Sequence, residues 1–256
     1  MSLWTAGDTL TAARTDRGAL PGLLTTLIPP IGATPIPVDG TDVNTVAQTY
    51  YTVGAGKIAI IQRITLWNSD TVSNQAAISI VESGGTPGVQ HQMFDDDLLP
   101  DESLILEGPW FLEASDFIRG ISAAAAGSEV AIRIDGIELT AQPDGLTLKM
   151  DDGDTLTTAF ATYYTAPATN LTAAIVLAIT VCNTDTVSRR VDVAIIPSGG
   201  TVDNRKQIFG EAIDPGATII IAGPFVLESS DFLQAKAAAV SVVAFRLSVA
   251  EIASPL

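Results

Sequence analysis

The residues of this chain that could do chemistry are few, and they do not form the groupings that chemistry needs. His91 is the single histidine, which excludes a dyad or metal site built on two imidazoles. A Ser-His-Asp triad needs its serine on a strained strand-to-helix elbow, and no G-x-S-x-G surrounds any serine. Cys182 is the single cysteine, so an intrachain disulfide and a thiolate metal cluster are both excluded. Asp95, Asp96, Asp97, Asp101 and Glu102 gather carboxylates that suit a hard cation, as do Asp151, Asp152 and Asp154 around Gly153. Neither group has the calcium-loop spacing with its closing glutamate, so both are expected to be solvated loop acids. His91 is expected to be a solvated strand or loop residue. No catalytic, metal-binding or cofactor-binding residue is assigned, and no cofactor is expected.

Composition supports the same direction. The chain has 256 residues, 47 % hydrophobic and 16 % charged, which is ample for a large core or two modest ones. Its formal charge of −16 creates a field that repels phosphate backbones and anionic headgroups. Direct binding to nucleic acid or to a membrane is therefore not expected. No run reaches the roughly 20 apolar residues of a spanning helix, and the first residues lack the pattern of a secretory signal.

The elements that position these side chains are written twice. "GPWFLEASDF" at 108–117 returns as "GPFVLESSDF" at 223–232, with seven of ten residues unchanged. "NSDTVS" at 68–73 faces "NTDTVS" at 183–188, and "SGGT" at 83–86 faces "SGGT" at 198–201. These share the offset 183 − 68 = 115; the flanking "TYYT" pair (49–52, 162–165) and Glu138 with Glu251 sit at 251 − 138 = 113. Within each copy the apolar period is two, the mark of strands with one buried face. Ile58, Ile60, Ile64 and Leu66 share one parity in the first copy; Ile175, Leu177, Ile179 and Val181 do so in the second. Short Gly, Pro, Asn, Asp and Ser clusters punctuate the runs, and no long amphipathic helix is predicted.

The expected fold is all-β: two tandem antiparallel, jelly-roll-like β-sandwiches from an internal repeat, behind an extended N-terminal arm. The expected organisation is an arm over 1–46 without a counterpart in the second half, sandwiches over 47–139 and 158–256, and a linker over 140–157. Five prolines in 18–40 forbid a helix, so the arm's Leu23, Leu24, Ile28 and Ile31 are expected to lie on a surface, making them candidate interface residues. Trp110 faces Phe225 and is expected in the core. Trp67 lies on the outward parity, a candidate interface residue or sugar platform. The matching outward face of the second copy, Val176, Ala178, Thr180 and Cys182, is apolar enough to require cover, so Val176 and Cys182 are also candidate interface positions.

The segment "TYYTVGAGKIAIIQRITLWNSD" and its echo "TYYTAPATNLTAAIVLAITVCNTD" resemble a pattern common in tailed-phage virion proteins, "YTVPAGKxAIV…VCNT…IVPSGG" followed by an acidic "LEAGD"-like corner. The matching residues are Tyr51 to Val53, Ala55 to Lys57, Cys182 to Thr184, Ile196 to Gly200, Leu112, Glu113 and Asp116, and Leu227, Glu228 and Asp231. The second copy departs by losing "AGK", and the first by carrying Trp67 in place of the cysteine. The resemblance implies no catalytic residue. It implies a non-enzymatic structural protein of a bacteriophage virion, a capsid decoration, cement or spike-base protein binding other virion subunits, assembled in the host cytoplasm. The alternatives are a neck or tail structural protein, a host-surface or polysaccharide-binding tail module, and a hydrolytic depolymerase joining His91 to an acidic cluster. A homo-oligomer is expected, a trimer first and a pentamer as the competing geometry.

Overall fold

The computed structural model describes residues 33–253, except 37, 124–129, 143–144, 151–152, 169–170 and 204. The arm residues Leu23, Leu24, Ile28 and Ile31 lie outside the described residues, as does the whole of the unit Met1–Ile31. Gly32–Leu256 form one compact unit, and its described part is treated below.

Alternating apolar residues and positive-φ turns produce nine strands in each copy among the described residues. In the first copy, Thr34–Pro35 (β1) and Val38–Asp42 (β2) both pair with Val130–Leu139 (β9), followed by Ile58–Asn68 (β4) and Ser103–Leu112 (β7). The facing sheet orders Gln48–Thr52 (β3), Phe117–Ser122 (β8), Asn74–Val81 (β5) and Gln92–Leu98 (β6). In the second copy, Leu146–Met150 (β10) and Asp154–Thr155 (β11) pair with Val243–Ala253 (β18), followed by Leu171–Asn183 (β13) and Thr218–Leu227 (β16). Its facing sheet orders Ala161–Thr165 (β12), Phe232–Ala237 (β17), Arg189–Ile196 (β14) and Gln207–Ile213 (β15). Every pairing is antiparallel. In each copy the second strand pairs with the ninth, the third with the eighth, the fourth with the seventh and the fifth with the sixth. That is a long hairpin rolled into two sheets, the topology of a jelly roll. Each sandwich has its own core: Ile61, Ile64, Leu66, Ile78, Ile118 and Ile132 in the first, Val176, Ile179, Val181, Val193, Leu233 and Phe245 in the second.

The strand parity expected over the first half of β4 and β13 is corrected by a bulge in each. The register of β4 shifts between Ile61 and Arg63, and that of β13 between Val176 and Ala178, 115 residues on. One extra residue, Gln62 or Leu177, reverses which side chains point inward before it. Ala59 and Ile61, not Ile58 and Ile60, thus join Ile64 and Leu66 in the core. By the same shift Val176 belongs to the second core and not to the outer face, while Ala178, Thr180 and Cys182 keep the outward parity.

The repeat also reaches further back than its residue identities suggest. Thr34 faces Glu138 and Thr41 faces Ile132, as Thr147 faces Glu251 and Asp154 faces Phe245. Val43 N–H donates to Val130 O, and Leu156 N–H to Val243 O. Residues 34–43 therefore do have a counterpart, 147–156, because "VDGTD" and "DDGDT" share Gly40 and Gly153, both with positive φ. Ile36 and Val43 are buried within the first core. Deleting 1–44 removes two more buried aliphatic side chains than deleting 1–32, worth about 1.5–3 kcal/mol each, and is expected to melt lower than the shorter truncation by on the order of 10 °C. Thermal unfolding of the two truncations checks this, and equal melting points would contradict the strand assignment.

Candidate functional site: the joint and the faces it leaves open

The repeated motifs prove to be corners. Asp116 N–H donates to Glu113 O across a turn whose third residue, Ser115, has φ 72°; Asp231, Glu228 and Ser230 (φ 66°) repeat it. A positive φ costs a residue with a Cβ on the order of 1 kcal/mol, and the aspartate next to it offsets this by tying two turns together. Asp116 Oδ2 accepts from Glu113 N–H and its Oδ1 from Ser83 N–H in the "SGGT" turn; Asp231 does the same with Glu228 and Ser198. The asparagine of "N-x-D-T-V-S" is a buried staple. Asn68 Nδ2 donates to the Val72, Leu98 and Leu99 carbonyls, and Asn183 Nδ2 to those of Val187, Ile213 and Asp214.

A carboxylate closes each sandwich beside the "TYYT" strand. Glu138 accepts from Tyr51 Oη at 2.7 Å, from Gly54 N–H at 3.2 Å and from Lys57 Nζ. Burial pushes the Glu138 carboxyl up, but the bonds from Lys57, Tyr51 and Gly54 outweigh it and hold the group below the usual carboxylate range. Burial and then the bond to Glu138 raise the Tyr51 phenol, so it remains a donor. In the second copy, where "AGK" is lost, Tyr164 Oη bonds Glu251 at 2.9 Å and the missing cation is replaced by Lys149 of β10, also at 2.9 Å. A lysine from β10, the first strand of the second copy, thus does the work of a lysine inside the motif.

The two sandwiches meet in a joint that is not symmetric. The side of the first sandwich, made by edge strands β6 and β7 and the 3₁₀ turn Val89–His91, packs on the outer face of the second sandwich's β10-β18-β13-β16 sheet. Trp110 Nε1 donates to Thr180 Oγ1 at 3.0 Å, Thr218 Oγ1 to Met93 O at 2.7 Å, and the buried Arg246 to Ile80 O. Ile220 and Met150 of the second sandwich pack against the first sandwich's core. Gly216 lies so close to Asp95 O that a Cβ there would approach to 2.6 Å. This joint supplies the cover that the apolar outer face of the second copy requires.

The expected site residues are placed as follows. Cys182 is fully buried in the joint, where burial pushes its thiol up to about 12. Trp67 stands 49 % exposed on the outer face of the first sandwich, near the 50 % exposed Ile105 on the neighbouring strand. Trp110 is buried, as expected from its pairing with Phe225. His91 is corrected: it is buried rather than solvated, because the turn Val89–His91 sits against β18. Its Nδ1 accepts from Gly88 N–H, and its Nε2 lies 2.6 Å from Glu82 Oε2. Asp95 accepts from Gln75 and Gln92, and burial raises its carboxyl. Asp151 and Asp152 lie outside the described residues. Among the described residues no group of three or more His, Cys, Asp or Glu side chains converges as a metal site. Sequence reasoning missed Arg246, Thr218 and Ile220; an arginine inside the apolar run "VAFRLSVA" was the available signal.

No family model matches the chain, and no curated protein matches its sequence. Among solved structures it is distantly similar to the STIV MCP, with 12 % identity over 86 % of this chain and 96 % of that one, and a TM-score of 0.33. It is similar to PNGF-II, with 8 % identity over 88 % of this chain and 65 % of that one, at 0.41. It is also similar to the VP2 of infectious bursal disease virus, with 12 % identity over 92 % and 78 %, at 0.27.

Glu138 provides a test by acid. A carboxyl with a lowered folded pKa contributes stability that is fully present above its unfolded value, about 4.3, and is lost as pH falls through the folded one. Glu138→Gln is expected to melt below the parent at neutral pH, with the gap closing under pH ~4. A gap that stays constant down to pH ~3 would contradict the bonding described.

Proposed function

We propose that this chain is a non-enzymatic structural component of a bacteriophage particle, a capsid decoration, cement or spike-base protein that works by binding other virion subunits. The observation that carries the reading is where the phage-like motifs fall. Asn68 and Asn183, Asp116 and Asp231, and Glu138 and Glu251 all staple turns and strand ends, so what the two copies preserve is shape. The polar groups that chemistry would need are taken: both His91 nitrogens have partners, and Cys182 is buried. A jelly roll hosts many functions, so the fold by itself decides little. The charge of −16 suits an outer surface better than one facing packaged genome. We further assign the repeat units to 34–139 and 147–252, with the preceding arm reaching other subunits.

A second reading, a polysaccharide-binding tail module, is favoured by Trp67 beside Ile105 on an open face. One experiment separates the two. Purified protein is incubated with capsids of the source phage that lack it, and in parallel with host envelope polysaccharide. The structural role predicts saturable, stoichiometric capsid binding that Trp67→Ala leaves largely intact. Polysaccharide binding lost in Trp67→Ala, with no retention on capsids, would replace the structural reading.

A further inference from the structure

The joint inside the chain uses one of two equivalent faces and one of two equivalent sides, and we infer that a second copy of the chain occupies the pair left over. The outer face of the first sandwich repeats the threonine, isoleucine and arginine that dock the buried face of the second, with Ser103 in place of Thr218. Thr65, Ser103 and Ile105 correspond to Thr180, Thr218 and Ile220 at the offset 180 − 65 = 115, and Arg133 corresponds to Arg246 at 246 − 133 = 113. Strand pairing places them alike. Thr65 faces Arg133 on one side and Ile105 on the other, as Thr180 faces Arg246 and Ile220; Trp67 faces Ser103 as Cys182 faces Thr218. In the second sandwich these residues close the joint. In the first they stand open, with Ile105 50 % exposed and the Arg133 side chain 55 % exposed beside Asp135.

The side left over belongs to the second sandwich. Ile80, Met93 and Trp110, which the joint covers, are at most 1 % exposed. Their counterparts Ile195, Ile208 and Phe225, each 115 residues on, are only partly buried at the edge of the second core. Ile220 packs against the first core, and its counterpart Ile105 is free of any such core within its own chain. Seating Ile105 of one copy over Ile208 and Phe225 of another covers both exposed apolar surfaces at once.

The charge changes differ on the two surfaces. Where the internal joint has Gln90 and His91, the open side has Arg205 and Lys206; where the covered face has Ala178 and Ser248, the open face has Arg63 and Asp135, which pair with each other. Other changes make the contact looser than the internal one. Phe225 lacks the N–H that Trp110 gives Thr180, and Asp101 (φ 57°) stands where Gly216 (φ 69°) lies against Asp95 O. The association is therefore head-to-tail, face on side, and it either closes into a ring or grows as a filament. It does not depend on where the protein sits on a particle.

The test uses full-length protein and sedimentation velocity across a concentration series. Wild type is expected to form assemblies larger than a dimer. Ile105→Asp on the face and Arg205→Glu with Lys206→Glu on the side are each expected to weaken self-association at least about tenfold. Mixed one to one, the two variants retain one good face and one good side between them, so they form a heterodimer and nothing larger. Asp101→Gly, which removes the obstruction, is expected to tighten assembly. Circular dichroism confirms that each variant is folded, and Thr65→Arg serves as a second face variant. Wild type that stays monomeric at the highest concentration would overturn the inference, as would variants that assemble like wild type or a mixture that stays monomeric. Assembly lost on deleting 1–32 but untouched by the face and side variants would assign it to the arm and overturn the joint. A monomer that still binds capsids leaves the structural role standing and removes only this contact.

Discussion

The first sandwich cannot close its own core, and the rest of the structure follows from how that is solved. Its edge strands β6 and β7 leave Ile80, Met93 and Trp110 at an open side, and the outer face of the second sandwich covers it. The cover is apolar through Ile220 and Met150 and polar through three bonds: Trp110 to Thr180, Thr218 to Met93 O, and Arg246 to Ile80 O. Each of those donors is buried or half-buried, so an unmatched partner would cost about 1–3 kcal/mol, and more for the arginine. The joint is consequently specific as well as adhesive, and the two sandwiches act as one body with a fixed arrangement.

That arrangement makes a duplicated chain unequal. Two copies of a fold, docked side on face, necessarily expose one face and one side that have no equivalent contact within the molecule. On the open face Trp67, Arg63 and Asp135 stand where the covered face has Cys182, Ala178 and Ser248, while Thr65, Ile105 and Arg133 are the same as their counterparts. Identity between the copies persists at the corners, where backbone geometry is the same.

The corners were legible in the sequence because their chemistry is local. A glycine or serine at positive φ, followed by an aspartate reaching the next turn, leaves the same trace wherever it occurs, and the duplicated "ESSD" and "EASD" showed it. The bulges were not legible. Gln62 and Leu177 each add one residue inside an otherwise continuous strand, so the parity of half of β4 and β13 reverses and Val176 falls inside rather than outside. The short strands β1, β2 and β11 escaped because pairing with β9 and β18, far along the chain, decides them more than their own residues do. His91 and Arg246 escaped for a related reason: both are buried where the two copies meet, and neither copy contains that burial alone. The replacement of Lys57 by Lys149 was hidden too, since two distant segments supply the same ammonium to equivalent glutamates.

The most direct test of the central claim compares the first sandwich alone, residues 33–142, with the intact chain by thermal unfolding. The account predicts a fragment that melts on the order of 10 °C or more below the full protein, as the loss of several kcal/mol of cover requires, and that recovers when residues 145–256 are added in trans. A fragment as stable as the whole chain, and indifferent to the second sandwich, would contradict it.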